Sequence, residues 1–379
     1  MNARQLAYDC LLKIEQENSY SNLSIAGVLE TSSLEDADKA FFTALVYGVI
    51  ERKLTLDYNI DTYLKNPKIK PQVRTILRLG AYQILFMDKI PDHAAINESV
   101  NLAKKHANYA SGLTNAVLRK IASEGLKLPK KDADNYLEIK YSCPNWLINM
   151  WNDAYGYKNT IGILESSLGG KPVYKRVCPW DDSLFHVQDL SSQKCCEALG
   201  ALPGETIYDM CAAPGGKSFT IAEIMNNEGK ILSFDIHPHR VKLIEDGAKR
   251  LGIEIISASV GDAEQFNPDL PLADRVLCDV PCAGLGVIGR KPEIRYKSVT
   301  NIEKLPNLQY NILINSARYI KIGGTLLYST CSLNPMENEN VVNRFINDNK
   351  GFELKEMRTI FPQEFDCDGF FYAVIGRVE

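Results

Sequence analysis

Two cysteines follow apolar segments that are predicted to be buried strands of one domain. Cys282 ends "DRVLCDVPC" and Cys331 ends "GTLLYSTC". These strands are predicted to be neighbours, and the carboxyl ends of parallel strands meet at one edge of a sheet, so both thiols should face one pocket. A thiolate that attacks C6 of a pyrimidine makes C5 enamine-like and able to accept a methyl group. The two thiols therefore indicate covalent catalysis on an otherwise inert carbon.

A tight turn and several acids surround the same predicted edge. The segment "CAAPGGK" follows the first strand, and its small residues let the backbone approach a ligand closely. Asp235 ends the second strand, where an acid can reach ribose hydroxyls, and Asp262 follows the third, where it could reach an adenine amino group. Asp279 ends the fourth strand. The predicted cofactor-binding residues are Cys211, Ala212, Ala213, Pro214, Gly215, Gly216, Lys217, Asp235, Asp262 and Asp279.

The identity of the cofactor follows from the chemistry of this turn. It is neither G-x-G-x-x-G nor the P-loop motif. Crowded acids disfavour a pyrophosphate and suit a ligand with ribose hydroxyls, an amino group and a positive charge. S-adenosylmethionine (AdoMet) meets this description best, with S-adenosylhomocysteine as its product. A plain strand-to-helix turn would explain the glycines but not the acids.

Three motifs in order, "CAAPGGK", "DVPCAGLG" and "YSTCS", resemble the Sun/Fmu family of RNA cytosine-C5 methyltransferases. The N-terminal segments "ADKAFFTALVYGVIERKLTLDYNI" and "NAVLRKIA" resemble a NusB-like RNA-binding domain, a pairing similar to bacterial enzymes that methylate 16S rRNA. The resemblance implies that Cys331 is the nucleophile and that Cys282 assists release of methylated RNA. It also implies that Asp279 holds the cytosine amino group or N3. The residues alone do not rank the thiols, because the Pro-Cys thiol attacks in DNA cytosine methyltransferases.

The elements that must position these residues fall into two halves. Residues 1–122 show helical periodicity, as in the spacing of Phe42, Leu45, Val46 and Val49, and they predict an all-α bundle. From Glu205 onward, apolar strand-like segments alternate with helical ones. This alternation predicts a parallel sheet with helices on both faces.

We therefore predict a multidomain α+β protein, in which an all-α NusB-like helical bundle precedes a Rossmann-like α/β AdoMet-dependent methyltransferase domain. The predicted bounds are 1–127 for the bundle, 128–187 for a linker with short helices, and 188–379 for the methyltransferase domain. Members of the family usually carry a small α/β subdomain in the middle interval. Here Arg176 is followed almost at once by "LFHVQDLSSQ", so several dozen residues are expected to be missing.

Composition limits the functional classes. A net charge of −4 over 379 residues is not that of a nonspecific nucleic-acid binder. No apolar segment approaches the length needed to span a bilayer. The ten cysteines form no CxxC and no Cys/His spacing of a zinc site, so no metal is expected and most thiols should be small buried hydrophobic groups.

Local basic segments are the candidate RNA contacts. Lys68, Lys70 and Arg74 lie in "LKNPKIKPQVRTILR", which contains no acid, although a solvated helix face is the alternative. A second segment follows the Pro-Cys loop and is a candidate for holding the displaced strand. Its basic residues are Arg290, Lys291, Arg295 and Lys297.

The predicted function is transfer of a methyl group from AdoMet to C5 of a cytosine in ribosomal RNA, with 16S rRNA as the expected substrate and a covalent Cys331–C6 adduct. Two alternatives remain open. One is a non-catalytic RNA-binding assembly scaffold, which the missing subdomain favours and the intact Cys331, Cys282 and Asp279 disfavour. The other is the same chemistry on transfer RNA. We expect a cytoplasmic monomer that acts on neither DNA nor membranes.

Overall fold

A computed structural model describes residues 2–17 and 21–379, and this part of the chain divides into two compact units. The first comprises residues up to Met150 together with Lys291–Tyr296. The second comprises Trp151–Arg290 and Lys297–Glu379. Among the described residues, no helix is both long and apolar enough to cross a bilayer.

The first unit is helical, as the periodicity predicts. Its core is apolar and includes the fully buried side chains of Phe42, Leu45 and Leu77. Pro71 opens one helix at a position where its missing N–H costs no hydrogen bond. The α-helices are α1 (Ala3–Glu17), α2 (Ser21–Thr31), α3 (Asp36–Glu51), α4 (Lys53–Asp61), α5 (Pro71–Phe86), α6 (Asp92–His106), α7 (Ser111–Glu124) and α8 (Tyr136–Tyr141).

The interval predicted to be a linker with short helices also contains a β-hairpin. After α9 (Asn145–Ser166), strands β1 (Lys175–Cys178) and β2 (Asp181–Val187) pair in antiparallel fashion, with Val177 opposite Phe185. These short strands were not predicted from the sequence. The hairpin lies in the interval where the family's small subdomain was expected to be missing. A tight turn between Cys178 and Asp181 joins its two strands.

Within the described residues, the second unit is built on a seven-stranded sheet in the order β5-β4-β3-β6-β7-β9-β8. The first five of these strands run parallel, and β9 pairs antiparallel with both β7 and β8. The strands are β3 (Thr206–Asp209), β4 (Lys230–Asp235), β5 (Ile256–Val260), β6 (Ala273–Asp279), β7 (Ile320–Thr330), β8 (Phe352–Ile360) and β9 (Phe370–Arg377).

Apolar clusters that include buried strand residues flank this sheet, with helices contributing to each. The helices are α10 (Leu190–Leu199), α11 (Gly216–Ile224), α12 (Pro238–Arg250), α13 (Val299–Ile302), α14 (Leu305–Ala317), α15 (Glu339–Asp348) and α16 (Pro362–Phe365). The predicted fold class, a helical N-terminal region followed by a methyltransferase-type α/β domain, is confirmed. The five predicted parallel strands are all present, whereas β8 and β9 were not predicted.

The sheet explains why polar residues gather at one edge. Strand order runs one way from β3 to β5 and the other way from β6 to β7, so the chain reverses between β3 and β6. In open parallel sheets, ligands bind outside the carboxyl ends of the strands at such a switch point. Asp209, Asp235 and Asp279 are the last residues of β3, β4 and β6.

Candidate active site

The two cysteines singled out by the sequence lie side by side. Strands β6 and β7 pair in parallel with Asp279 opposite Ser329, so the loops that follow them start at the same edge. The Sγ atoms of Cys282 and Cys331 are 3.3 Å apart, and both side chains are half-buried. The structure thus presents a pair of thiols at the strand ends rather than two independent ones.

The surroundings of Cys282 favour its protonated form. The pKa of Cys282 is raised well above its ordinary value, first by its hydrogen bond with Cys331 and then by burial. Electrostatic interactions with Cys331, Glu337 and Asp279 act in the same direction. The direction of this shift favours the protonated form of Cys282.

Asp279 links the thiol loops to the predicted cofactor turn. Its Oδ2 lies 2.7 Å from Nζ of Lys217, and its Oδ1 accepts a hydrogen bond of 2.8 Å from Oγ of Ser329. Burial alone would lower the pKa of Lys217, but the Asp279 carboxylate raises it, so the lysine stays charged. Lys217 was predicted to bind the cofactor, which stays a prediction; the structure shows it paired with Asp279. The contribution of Ser329 was not predicted from the sequence.

The turn from Cys211 to Lys217 requires a glycine at one position and is fixed to the sheet. Gly215 has a φ of +109°, and a Cβ at this position would lie 2.4 Å from the Phe219 ring, so a larger residue does not fit. The turn is tied to the sheet because the N–H of Ala212 donates to the carbonyl of Phe234 over 2.8 Å. Helix α11 then begins at Gly216.

Asp209 is a buried acid that the sequence analysis did not single out. Its Oδ2 accepts a hydrogen bond of 2.7 Å from Oγ of Ser218, and burial raises its pKa to about 7. The signal was present in the sequence as an acid that ends the apolar strand "TIYD". Asp209 adds a fourth carboxyl group to the strand ends.

Asp235 and Asp262 also take part in local structure. Asp235 is buried, accepts a hydrogen bond from the N–H of His237, and lies 3.1 Å from Nη1 of Arg240. Asp262 accepts hydrogen bonds from the N–H of Glu264 and the side chain of Gln265. Carboxylate oxygens have further lone pairs, so these contacts leave acceptor capacity for a ligand.

The residues at this edge fit AdoMet. Carboxylates at the ends of β4 and β6 offer acceptors for ribose hydroxyls and balance for a positive charge. Ile236, directly after Asp235, is 53% exposed and offers an apolar surface to a purine ring. The glycine turn adds a closely approachable backbone. This combination of donor set and backbone supports the predicted cofactor.

The basic residues predicted in the first RNA-contact segment differ in their surroundings, because the lysines are exposed whereas the arginine is held in an ion pair. Lys68 and Lys70 are exposed, and Nζ of Lys70 lies 5.4 Å from the centre of the Tyr109 ring. Arg74 is different, because its guanidinium lies 2.5 Å from Asp61 and donates to the carbonyl of Pro67. Of the three predicted residues, the two lysines are presented to solvent in the way that phosphate contacts require.

The second predicted RNA segment needs a correction. Arg295 is fully buried, and its Nη1 donates to the carbonyls of Glu51, Tyr141 and Ser142, at the ends of helices α3 and α8. Helix C-termini leave carbonyls without intrahelical partners, and a cation there is favourable. The prediction that Arg295 holds a displaced strand is therefore wrong for this structure.

The other three residues of that segment differ among themselves. Arg290 forms ion pairs of 2.9 Å with Asp189 and 2.8 Å with Asp368, so its charge is already used within the second unit. Lys291 is exposed, and Lys297 is half-buried. Lys291 remains the most accessible candidate of the segment.

Comparison with known proteins covers the whole chain. Residues 197–376 match the family described as 16S rRNA methyltransferase RsmB/F, and residues 1–123 match the NusB family. The chain is 34% identical to the probable ribosomal RNA small subunit methyltransferase B of Bacillus subtilis (strain 168), over 99% of each protein. It is also 34% identical to the corresponding protein of Synechocystis, over 100% of each. The crystal structure of PH0851 superposes with a TM-score of 0.78 at 25% identity and covers 100% of this chain and 99% of that one.

The alignment with the Bacillus subtilis relative runs over 450 residues, whereas this chain has 379. Since the alignment covers 99% of each protein, the relative carries residues that this chain lacks. The location of the shortening within residues 128–187 stays a prediction.

Proposed function

Because this chain belongs to the RsmB/F family of 16S rRNA methyltransferases and carries a NusB-family N-terminal region, we propose that it methylates C5 of a cytosine in 16S rRNA. As a member of that family it is an AdoMet-dependent methyltransferase. The observation that carries the finer proposal is the pair of thiols, 3.3 Å apart, beside the Asp279–Lys217 ion pair. This arrangement supports covalent catalysis on a base that is not nucleophilic at the reacting carbon.

Bound AdoMet would supply a methyl group on a sulfonium, which makes that carbon electrophilic. In our proposal the turn from Cys211 to Lys217 holds the cofactor through its backbone, and Asp235 accepts hydrogen bonds from the ribose. Asp262 lies after β5, where it can accept a hydrogen bond from the adenine amino group. Lys217 holds Asp279 in place through their ion pair, between the groups that we assign to the cofactor and to the base.

The covalent step begins with Cys331 as a thiolate. Its sulfur forms a bond to C6 of the cytosine, and the electrons of the C5–C6 double bond move to C5, which then takes the methyl group. Methyl transfer from a bound sulfonium would balance the negative charge that the thiolate brings to the ring. We assign Asp279 to the cytosine amino group, from which its carboxylate accepts a hydrogen bond, or to N3 when N3 carries a proton. Either contact orients the ring.

Release requires removal of the proton on C5. That C–H electron pair re-forms the C5–C6 double bond, the C6–sulfur bond breaks, and its electrons return to Cys331 as a thiolate. We assign the proton to Cys282, which for this step must itself be a thiolate. The hydrogen bond and charge of Cys331 raise the pKa of Cys282 in the free enzyme, and both are lost once Cys331 becomes a neutral thioether. Cys282 can then give its own proton to solvent and accept the one from C5.

The target base must leave its stack to reach Cys331, at a cost of a few kcal/mol. We propose that Lys68 and Lys70 contribute phosphate contacts in the helical unit and that Lys291 contributes another. Arg74 and Arg290 are engaged in ion pairs and are weaker candidates for this role.

The test is transfer of labelled methyl from AdoMet to 16S rRNA from a strain that lacks the modification, followed by mapping of 5-methylcytidine. We expect label at a cytosine of 16S rRNA and none in transfer RNA incubated in parallel. Label in transfer RNA alone would move the same chemistry to that substrate. RNA binding without label in either would favour the scaffold alternative.

A further inference from the structure

Glu337 is a fully buried acid that lies beneath the cysteine pair. It follows the "YSTCS" motif in the segment "NPMENEN", and its side chain has no exposed surface. Burying a carboxylate costs several kcal/mol unless hydrogen bonds satisfy its oxygens. The partners that satisfy Glu337 therefore indicate what the carboxylate is for.

Each oxygen of Glu337 binds the residue that follows one of the cysteines. Oε2 accepts a hydrogen bond of 2.7 Å from the backbone N–H of Ala283, directly after Cys282. Oε1 accepts a hydrogen bond of 2.7 Å from Oγ of Ser332, directly after Cys331. One carboxylate thus joins two loops that leave different strands of the sheet.

Further contacts fix the carboxylate itself. Gln309 donates to Oε2 of Glu337 over 3.0 Å and to the carbonyl of Pro281 over 2.9 Å, so it holds the Pro-Cys loop as well. Asn334 donates to Oε1 over 2.9 Å. With four donors, both oxygens are well satisfied, and the carboxylate has little freedom to move.

The next residue, Asn338, forms hydrogen bonds with the residues on both sides of Cys331. Its Oδ1 accepts a hydrogen bond of 2.6 Å from Oγ1 of Thr330, just before Cys331. Its Nδ2 donates to the carbonyl of Ser332 over 2.8 Å, just after Cys331. The backbone on both sides of Cys331 is therefore held by the dipeptide Glu337-Asn338.

We propose that Glu337 is a positioning residue that clamps the loops of Cys282 and Cys331 together, so that the two thiols act as one unit in attack and release. The proposal rests on the proposed function for its consequences in catalysis, but the clamp itself can be measured without RNA. The charge of Glu337 supports the same division of labour, because it contributes to the raised pKa of Cys282.

The direct test uses phenylarsine oxide, a trivalent arsenical that binds tightly only when two thiols bridge it. Arsenical bound per protein is measured by intact mass spectrometry over a range of concentrations, and the Cys282→Ala variant gives the background from the other thiols. We expect Glu337→Gln to weaken the Cys282-dependent binding by about 100-fold, because a bivalent contact is lost when its geometry is not maintained. If the Glu337→Gln variant binds the arsenical with wild-type affinity, the proposal that Glu337 clamps the two loops is rejected.

The second readout is catalysis with the same proteins. Glu337→Gln should lower the rate of methyl transfer at saturating substrates by about 100-fold, the scale of a misplaced catalytic group. Its affinity for AdoMet, measured by calorimetry, should be that of wild type. Glu339→Gln is the matched control, since this glutamate lies at the start of α15 and accepts a hydrogen bond from Thr359. It should leave both readouts unchanged.

The outcomes separate the clamp from the proposed function. Glu337-dependent arsenical binding with no methyl transfer in wild type would reject the function and keep the clamp. Should Glu337→Gln fail to fold, Ser332→Ala removes a single donor and should weaken arsenical binding by up to about tenfold, the scale of one hydrogen bond. Unaltered arsenical binding by folded Ser332→Ala would then reject the clamp.

Discussion

One charged cluster in each unit illustrates two different uses of an ion pair. In the helical unit, the buried Arg78 forms ion pairs with Asp57 at 2.8 Å and Glu15 at 3.1 Å, so its charge stabilises the fold. In the sheet unit, Asp279 and Lys217 pair at the strand ends, beside two thiols. Basic residues in a sequence segment therefore say little about RNA contacts until their partners are known. Acids and thiols at the ends of parallel strands are far more informative, because the topology itself brings them together.

The largest expected effect is the change in the free energy of unfolding when Arg78 is replaced. Replacing Arg78 by Leu leaves Asp57 without the partner that satisfies both of its carboxylate oxygens. Breaking a buried pair by removing one partner costs about 3–5 kcal/mol. Because Asp57 is partly exposed and keeps Arg74 at 3.6 Å, the free energy of unfolding should fall by about 3 kcal/mol, the lower end of that range. Urea denaturation followed by circular dichroism measures it. If the free energy of unfolding falls by less than about 1 kcal/mol, the range of exposed ion pairs, Arg78 does not stabilise the fold through these ion pairs.

The cofactor site should respond in binding rather than in stability. Asp235→Ala should weaken AdoMet binding by about 1.5–3 kcal/mol, the value of charge-assisted hydrogen bonds from a carboxylate to the ribose. Calorimetry on the folded variant measures this, and Asp262→Ala is the companion variant for the adenine end. Wild-type affinity in Asp235→Ala would remove that residue from the site.

Asp209 should give the sheet unit a distinctive pH dependence. Burial raises its pKa to about 7, so the folded protein keeps a proton that the unfolded chain releases above about pH 4. The stability from this group is present at low pH and is lost as pH rises through that window. Between about pH 4 and 7, the free energy of unfolding should fall more in wild type than in Asp209→Asn, by at least about 1 kcal/mol. Parallel curves for the two proteins would contradict the raised pKa.

The smallest effects concern RNA. Removing Lys68 and Lys70 together should reduce the salt dependence of RNA binding by about one unit of slope per lysine. Arg74→Gln, which alters a cation held by Asp61, should leave that slope nearly unchanged. Filter binding over a range of salt concentrations distinguishes these results. An unaltered slope in the double lysine variant would restore the alternative of a solvated helix face.

Some parts of the structure could be predicted from the sequence and others could not, and the reasons are physical. Cys282 and Cys331 could be placed together because parallel strands β6 and β7 were predicted to be neighbours, which the structure confirms. Strand β8 was missed because "FELKEMRTI" lies at the sheet edge, where alternate charged residues obscure an apolar pattern. The burial of Arg295 could not be predicted, because the carbonyls that it binds come from helix ends distant in sequence.

The same limit applies to the thiol clamp. Glu337 lies in a polar segment and would be expected at the surface, yet it is fully buried because Ala283, Gln309, Ser332 and Asn334 all donate to it. Periodicity predicts strands and helices, but it does not predict which loops share one acceptor. Such a network is visible only in three dimensions.

The most direct test of the central claim, that the two thiols divide attack and release, is covalent protein–RNA adduct retained on denaturing gels. Cys282→Ala should accumulate adduct with 16S rRNA in the presence of AdoMet, because Cys331 still attacks C6 and the C5 proton has lost its acceptor. Cys331→Ala and the double variant should form none and transfer no methyl group. Adduct that accumulates in Cys331→Ala, with normal turnover in Cys282→Ala, would contradict the account and reverse the two roles.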